Sequence, residues 1–481
     1  MTRNILTSIL SCCICLFAVL CSCSDDKISS DPSHTLRFST DTIYMDTLLT
    51  NVGTSTYQLK VYNKNEMNVL INSITLADAS KSGFRINVDG MKGNVFRDIE
   101  LPAKDSLYIF IEATLPNQAK NGPVFCKDSI VFLTNGNIQD VKLLAFGMNA
   151  TSWRGRTITQ DTIVHSPDLP IVIYDSLIVQ KGACLTVKAG SQFFFHGKAG
   201  MRIDGTLVTE GTLEQPVVFR GDRTDRMFAY LPYNNLPGQW GGIQITADSY
   251  HNKLNFTDIH GGSYGIICDS ASVEQPKLTM ENSKISQVAG DAIRMTLCKG
   301  YFANSEISNA QGSCVRVLGG DYQFIHCTLS NYYSWDIRNG AALAISNHKE
   351  DIAYPLTNAS FRNCIIAGSS SDEIAGSPAE DESIPFKYFF SHCLINSVET
   401  EGDQVVNVVW EKDDLFKVID QKRQTFDFRL DSLSKAINLG AIEDAQTYPL
   451  DLKGMMRLND EAPDAGCYEW QPNETEDTTQ E

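Results

Sequence analysis

Clustered positive charge is what this chain most lacks. Its 40 Lys and Arg are outnumbered by 58 Asp and Glu, for a formal net charge of −18. Nucleic-acid binding needs Lys and Arg gathered on one face, so that partner class is excluded. Long apolar runs are also scarce. The uncharged N-terminal run of residues 5–20 is shorter than the roughly 20 residues a spanning helix prefers. Beyond that leader, nine cysteines stand at 126, 184, 268, 298, 314, 327, 364, 393 and 467, and none forms a C-x-x-C pair with another. That leaves no zinc or redox signature and implies mostly free thiols. Nothing in the pattern assembles a serine triad, and no cofactor is expected.

What is present is a repeat. Met280-Glu281-Asn282-Ser283-Lys284-Ile285 recurs as Phe302-Ala303-Asn304-Ser305-Glu306-Ile307 and as Phe324-Ile325-His326-Cys327-Thr328-Leu329, each 22 residues on. Gly290-Asp291-Ala292-Ile293-Arg294-Met295 keeps the same step to Gly312-Ser313-Cys314-Val315-Arg316-Val317 and to Ser334-Trp335-Asp336-Ile337-Arg338-Asn339. A fixed period in the low twenties, with β-like pieces separated by Asn, Ser and Gly, marks a stacked solenoid. A weaker copy begins at Leu254, and further copies begin at Phe361 and Phe390. The longer steps between the later copies fit polar insertions at His348 to Pro355 and near Gly376 to Pro385. The column Asn282, Asn304, His326, Asn363, His392 suits turns, since Asn tolerates left-handed backbone. Its two histidines therefore read as turn residues rather than bases. The next column, Ser283, Ser305, Cys327, Cys364 and Cys393, holds small side chains suited to a tight interior.

Several stretches resemble known families. Arg3, the apolar run and Leu20-Cys21-Ser22-Cys23 resemble a bacterial lipoprotein signal, with cleavage before Cys23 and lipid on its thiol. Ser24-Asp25-Asp26 resembles the acidic tag of surface-exported lipoproteins of the Bacteroides group. The resemblance implies a signal peptide over 1–22, a lipidated tether over 23–34, and an outer-membrane protein facing the cell exterior. Short alternating runs over 35–150 predict a β-sandwich. Phe38, Gly53, Val61-Tyr62-Asn63 and Leu101-Pro102-Ala103 make it similar to immunoglobulin-like domains of the abnormal-spindle type. Leu185 to Gly190, Gly205-Thr206-Leu207 and Pro216-Val217-Val218-Phe219 resemble the opening coils of a right-handed parallel β-helix of the pectate-lyase type, placed here at 155–470. Asp451-Leu452-Lys453-Gly454, Arg457 and Asp464 to Glu469 resemble the closing segment of secreted β-helix proteins of the choice-of-anchor type. Residues 471–481 read as a disordered acidic tail. The fold class is all-β: an immunoglobulin-like sandwich followed by a right-handed parallel β-helix.

The repeat's phase names an outward face. With Ile293, Val315 and Ile337 inward, Arg294, Arg316 and Arg338 point out and stack about 4.8 Å apart. Like charges so close repel and need compensation. Neighbouring acids, with Asp336 and Glu373 as candidates, supply it in one reading. A carboxylate or sulfate ligand held by guanidinium forks supplies it in the other. The expected function is non-catalytic binding of a glycan or surface polymer, with Arg294, Arg316, Arg338 and Asp336 as contact residues. One alternative is a polysaccharide lyase acting on an acidic, uronate-bearing glycan, with calcium near Asp336. Another is a structural or adhesive surface protein. The Asn-Thr-Asp and Gly-His-Gly strings of polygalacturonase-like hydrolases do not occur.

Overall fold

The computed structural model describes residues 27–228, 230–413 and 415–472. The expected signal peptide, the expected lipid site at Cys23 and the expected acidic tag lie outside them, as does nearly all of the expected acidic tail. The described residues form two compact units, one of those up to 116 together with 125–147, the other of 117–124 together with those from 148 onward.

The first unit is a β-sandwich. A six-stranded sheet runs from Ile28–Ser29 at one edge to Thr42–Leu49 at the other, and a five-stranded sheet is centred on Ser106–Ala113. Strict alternation builds its core. Leu107, Ile109, Ile111 and Ala113 point inward and are buried, while Tyr108 and Phe110 between them face out. Ile28 and Ser29 pair with Asn68 and Val69, so part of the expected tether is a strand of the sandwich.

The second unit is a parallel β-helix whose coils each carry three strands. Met280, Phe302, Phe324, Phe361 and Phe390 lie opposite one another on successive coils, the register the 22-residue repeat predicts. Their rings stack inside, Phe302 on Phe324 at 4.4 Å and Phe324 on Phe361 at 4.7 Å. The next corner is the Asn column. Asn282, Asn304, His326, Asn363 and His392 all take positive φ, between 49° and 53°. Side-chain bonds run along this column, from Asn304 Nδ2 to Asn282 Oδ1 at 2.6 Å and between Asn363 Nδ2 and His326 Nε2 at 3.0 Å. The Ser and Cys column is buried, and each side chain donates to the carbonyl two residues back. Ser305 Oγ reaches Ala303 O at 2.7 Å, and Cys364 Sγ reaches Arg362 O at 3.2 Å. A small side chain with one donor is what this corner requires, which explains why Ser and Cys interchange there. All nine described cysteines are free thiols.

Two boundaries differ from expectation. Thr151–Ile158, which begins before the expected start of the β-helix at 155, pairs parallel with Ile171–Val179 and opens the β-helix. At the other end the coils stop at Val409–Trp410, and the closing segment is not a further coil. It forms an antiparallel hairpin, Phe416–Asp420 with Thr425–Leu430, then turns back as a strap along the outside of the second strands. Phe416, Phe428, Leu452, Ala465 and Tyr468 bury Ile365, Ala367 and Leu394 in a second core. The second strands are thus covered on both faces, as strands buried throughout a parallel sheet usually are.

The motif residues lock the strap. Arg457 is fully buried, its guanidinium donating to Glu469 at 2.5 Å and to Asn304 Oδ1 at 2.6 Å. Asp451 accepts the backbone N–H of Glu469 at 2.9 Å, and Asp464 that of Trp470 at 2.6 Å.

Candidate functional site

The third strand of each coil presents the outward column. Register places Arg202, Gln244, Ile267, Arg294, Arg316, Ala344 and Ala375 in one row. Arg294 and Arg316 are neighbours as expected. Arg338 is not the third member. Val315 pairs with Leu343, 28 residues on, so Ala344 stands beside Arg316 and residues 334–339 form an inserted loop. Ile337, expected in the core, is 82% exposed. Asp336 is exposed too, its carboxylate accepting the N–H of Ile337 at 2.7 Å. It neither joins the column nor gathers with other acids.

The expected charge compensation is found at most of these arginines. Arg338 is 9% exposed and donates to Glu373 at 2.7 Å, with Glu373 wholly buried. Glu373 also accepts the N–H groups of Ala342 and Ser370, both at 2.8 Å. Desolvation pushes the Glu373 carboxyl above its ordinary range, opposed by Arg338. Arg316 is held by Asp291, its Nε lying 3.0 and 3.1 Å from the two carboxylate oxygens. Arg202 is held by Asp204 at 2.9 Å. Among the described residues nothing forms an ion pair or hydrogen bond with Arg294, which is exposed.

Arg294 opens onto a hollow of ≈ 400 Å³ lined also by Ser263, Tyr264, Asp291, Arg316 and Asn339. The hollow sits at the corner between second and third strands, and an insertion occupies that corner on either side of it. On one side, the loop preceding Ile243–Ile245 docks by bonds from Gln239 N to Gly261 O at 2.7 Å and Ser263 N to Trp240 O at 2.6 Å. On the other, the 334–339 loop supplies Asn339, fixed by its N–H to Gln311 O at 2.8 Å. The turn of the strap's hairpin ties the two insertions together: Asn235 Nδ2 donates to Gln424 O at 3.3 Å, and Gln424 Nε2 donates to Ser334 Oγ at 2.8 Å. Burial raises the Tyr264 phenol above its usual range, and the nearby Arg294 charge opposes that rise. The phenol therefore stays protonated near neutrality, an OH donor beside a cation.

One feature of this region was not anticipated from sequence. Gly261-Gly262-Ser263-Tyr264-Gly265 has the Gly-x-Ser-x-Gly spacing of a nucleophile elbow. Here it joins two strands, Thr257–His260 and Ile266–Cys268, rather than the strand and helix that expose such a serine, and no histidine lines the hollow. Gly221-Asp222-Arg223-Thr224-Asp225-Arg226, a charged cluster legible in the sequence as a candidate lining of the groove, is internally satisfied in part. Arg223 pairs with buried Asp225 at 2.7 Å and lies 3.9 Å over the Tyr233 ring. Among the described residues no group of three His, Cys, Asp or Glu side chains is arranged to hold a metal ion.

No family model matches the chain, and no curated protein matches it. Among solved structures, a family 123 glycoside hydrolase from Clostridium perfringens aligns at 10% identity and TM-score 0.17, over 24% of this chain and 26% of that one. The chain therefore spans about a quarter of that enzyme. Pectate lyase Pel9A aligns at 12% identity and TM-score 0.26, over 67% of this chain and 98% of that one. The catalytic domain of a GH87 α-1,3-glucanase, solved with nigerose, aligns at 11% identity and TM-score 0.15, over 79% and 91%.

Proposed function

We propose that this is a lipid-anchored, outward-facing β-helix protein that binds an acidic polysaccharide without cleaving it. In this reading Cys23 carries the lipid, the sandwich acts as an immunoglobulin-like spacer, and the hollow around Arg294 receives one charged sugar. The observation that carries it is the contrast among the arginines of this face. Arg202, Arg316 and Arg338 each have an acid, whereas Arg294 has none and stands in a walled hollow. On a chain of net charge −18, an uncompensated cation on such a face is a place for an anion. A guanidinium grips a carboxylate or sulfate through two parallel bonds. Tyr264 offers its OH and ring, and Asn339 offers both donor and acceptor, so the sugar hydroxyls also find partners.

The folded chain without residues 1–22, titrated with polygalacturonate and chondroitin sulfate, should bind at least one polymer. Binding should weaken with added salt, and no unsaturated uronate chromophore should appear on prolonged incubation. Appearance of that chromophore would assign the lyase activity instead. Failure to bind either polymer would remove the acidic-glycan reading.

A further inference from the structure

A second face of the molecule has the chemistry of a glycan surface, and it lies in the sandwich. On the outer side of the five-stranded sheet, Tyr57–Tyr62 and Ser106–Ala113 run antiparallel, with Lys60 opposite Tyr108 and Gln58 opposite Phe110. Tyr108 and Phe110 are 39% and 37% exposed, and their rings stack at 6.4 Å with an interplanar angle of 17°. The Lys60 ammonium lies 5.0 Å from the Tyr108 ring and 5.2 Å from the Tyr62 ring, and the Lys64 ammonium caps Tyr62 at 4.6 Å. Rings of the same orientation, interleaved with amines, form an open platform.

A sandwich needs apolar residues on its inner faces only, and the alternation of Ser106–Ala113 already fills that side. Tyr108 and Phe110 add nothing to the core. Exposed stacked rings on a sheet face offer a flat apolar surface to a partner, and the charge selects which kind. A second copy brings the same flat rings, but it meets Lys60 and Lys64 with its own lysines rather than with anions. An acidic polysaccharide brings both flat faces and anions, since the C–H face of each pyranose stacks on a ring while its carboxylate or sulfate meets a lysine.

We propose that the outer face of the five-stranded sheet is a separate polysaccharide-binding platform, with Tyr62, Tyr108 and Phe110 stacking sugar rings and Lys60 and Lys64 holding their anionic groups. It shares its ligand class with the reading above but none of its residues, so either can fail alone. Two sites on one tethered chain would raise the apparent affinity for a long polymer by effective concentration.

The test uses the full chain without residues 1–22 and polygalacturonate and chondroitin sulfate, long or cut to short oligomers. Tyr108→Ala combined with Phe110→Ala replaces only exposed side chains, so the fold should persist, and unchanged circular dichroism and melting would show it. The double variant should bind the long polymers about tenfold more weakly, the loss expected for two stacked rings. Lys60→Gln should weaken binding and flatten its salt dependence. Binding of the double variant at wild-type strength would overturn the platform. So would loss of a chain dimer in that variant with polymer binding intact.

Discussion

Replacing Arg457 with methionine should cost the β-helix about 3–5 kcal/mol above about pH 8, where Glu469 is ionised, the range for breaking a buried ion pair by removing one partner. Arg457 is the one guanidinium among three buried acids, Asp451, Asp464 and Glu469. Desolvation lifts Glu469 to about 8 and Asp464 to about 6, with Arg457 opposing both rises. Without the arginine, the acids lose their counter-charge and Asn304 Oδ1 loses a donor. The penalty should shrink in acid, where the carboxyls are neutral. The wild type should itself depend on pH in a defined direction. A carboxyl whose folded value lies above its ordinary 4.5 keeps a proton the unfolded chain has released. The Glu469 contribution to stability is therefore fully present below about 4.5 and is lost as pH rises through about 8. The melting temperature of the wild type relative to Glu469→Gln should show this decline from pH 5 to 8. A difference that moves in the wild type's favour as pH rises would contradict the assignment.

Glu373→Leu should be the second large loss, again about 3–5 kcal/mol, and it should exceed that of Arg338→Met. The asymmetry comes from acid–base chemistry. Arg338 keeps its charge at any accessible pH, so removing Glu373 strands a nearly buried cation and leaves the N–H groups of Ala342 and Ser370 unpaired. Removing Arg338 instead leaves an acid already pushed toward its neutral form by burial, which can take up a proton. Urea unfolding of the two single variants compares them directly. Equal losses, or a larger one for Arg338→Met, would mean that Glu373 is not the desolvated partner described.

The same pair explains where the sequence misled. The 22-residue period was legible because the Asn column enforces left-handed turns and the Phe column stacks, two local demands that leave fixed residue types. Ser334 to Asn339 mimicked the next copy because it ends in Ile-Arg-Asn at the right distance. The true continuation, Ala342 to Ile345, carries Ala344 where the pattern expected arginine. A loop inserted at a coil corner shifts the register without breaking any strand, and nothing local announces it. Asp291 lay inside the repeated motif, but its role in holding Arg316 depends on the fold of the corner. The strap's course was illegible for another reason. Its motif residues bond mainly to one another and to coils far away in sequence, as in Tyr468 OH to Glu306 at 2.6 Å and Cys467 N to Thr328 Oγ1 at 3.0 Å. Such pairings leave no periodic trace.

Whether the hollow is the ligand site is decided most directly at Arg294. Its side chain is exposed and bonds to nothing among the described residues, so Arg294→Ala should leave the melting temperature unchanged and any loss of binding can be assigned to the ligand. Equilibrium titration with short galacturonate oligomers should show affinity reduced about tenfold or more, the worth of a charge-assisted bidentate contact, and a shallower salt dependence. Oligomer binding by a folded Arg294→Ala variant with wild-type affinity and salt dependence would contradict the assignment of this hollow as the binding site.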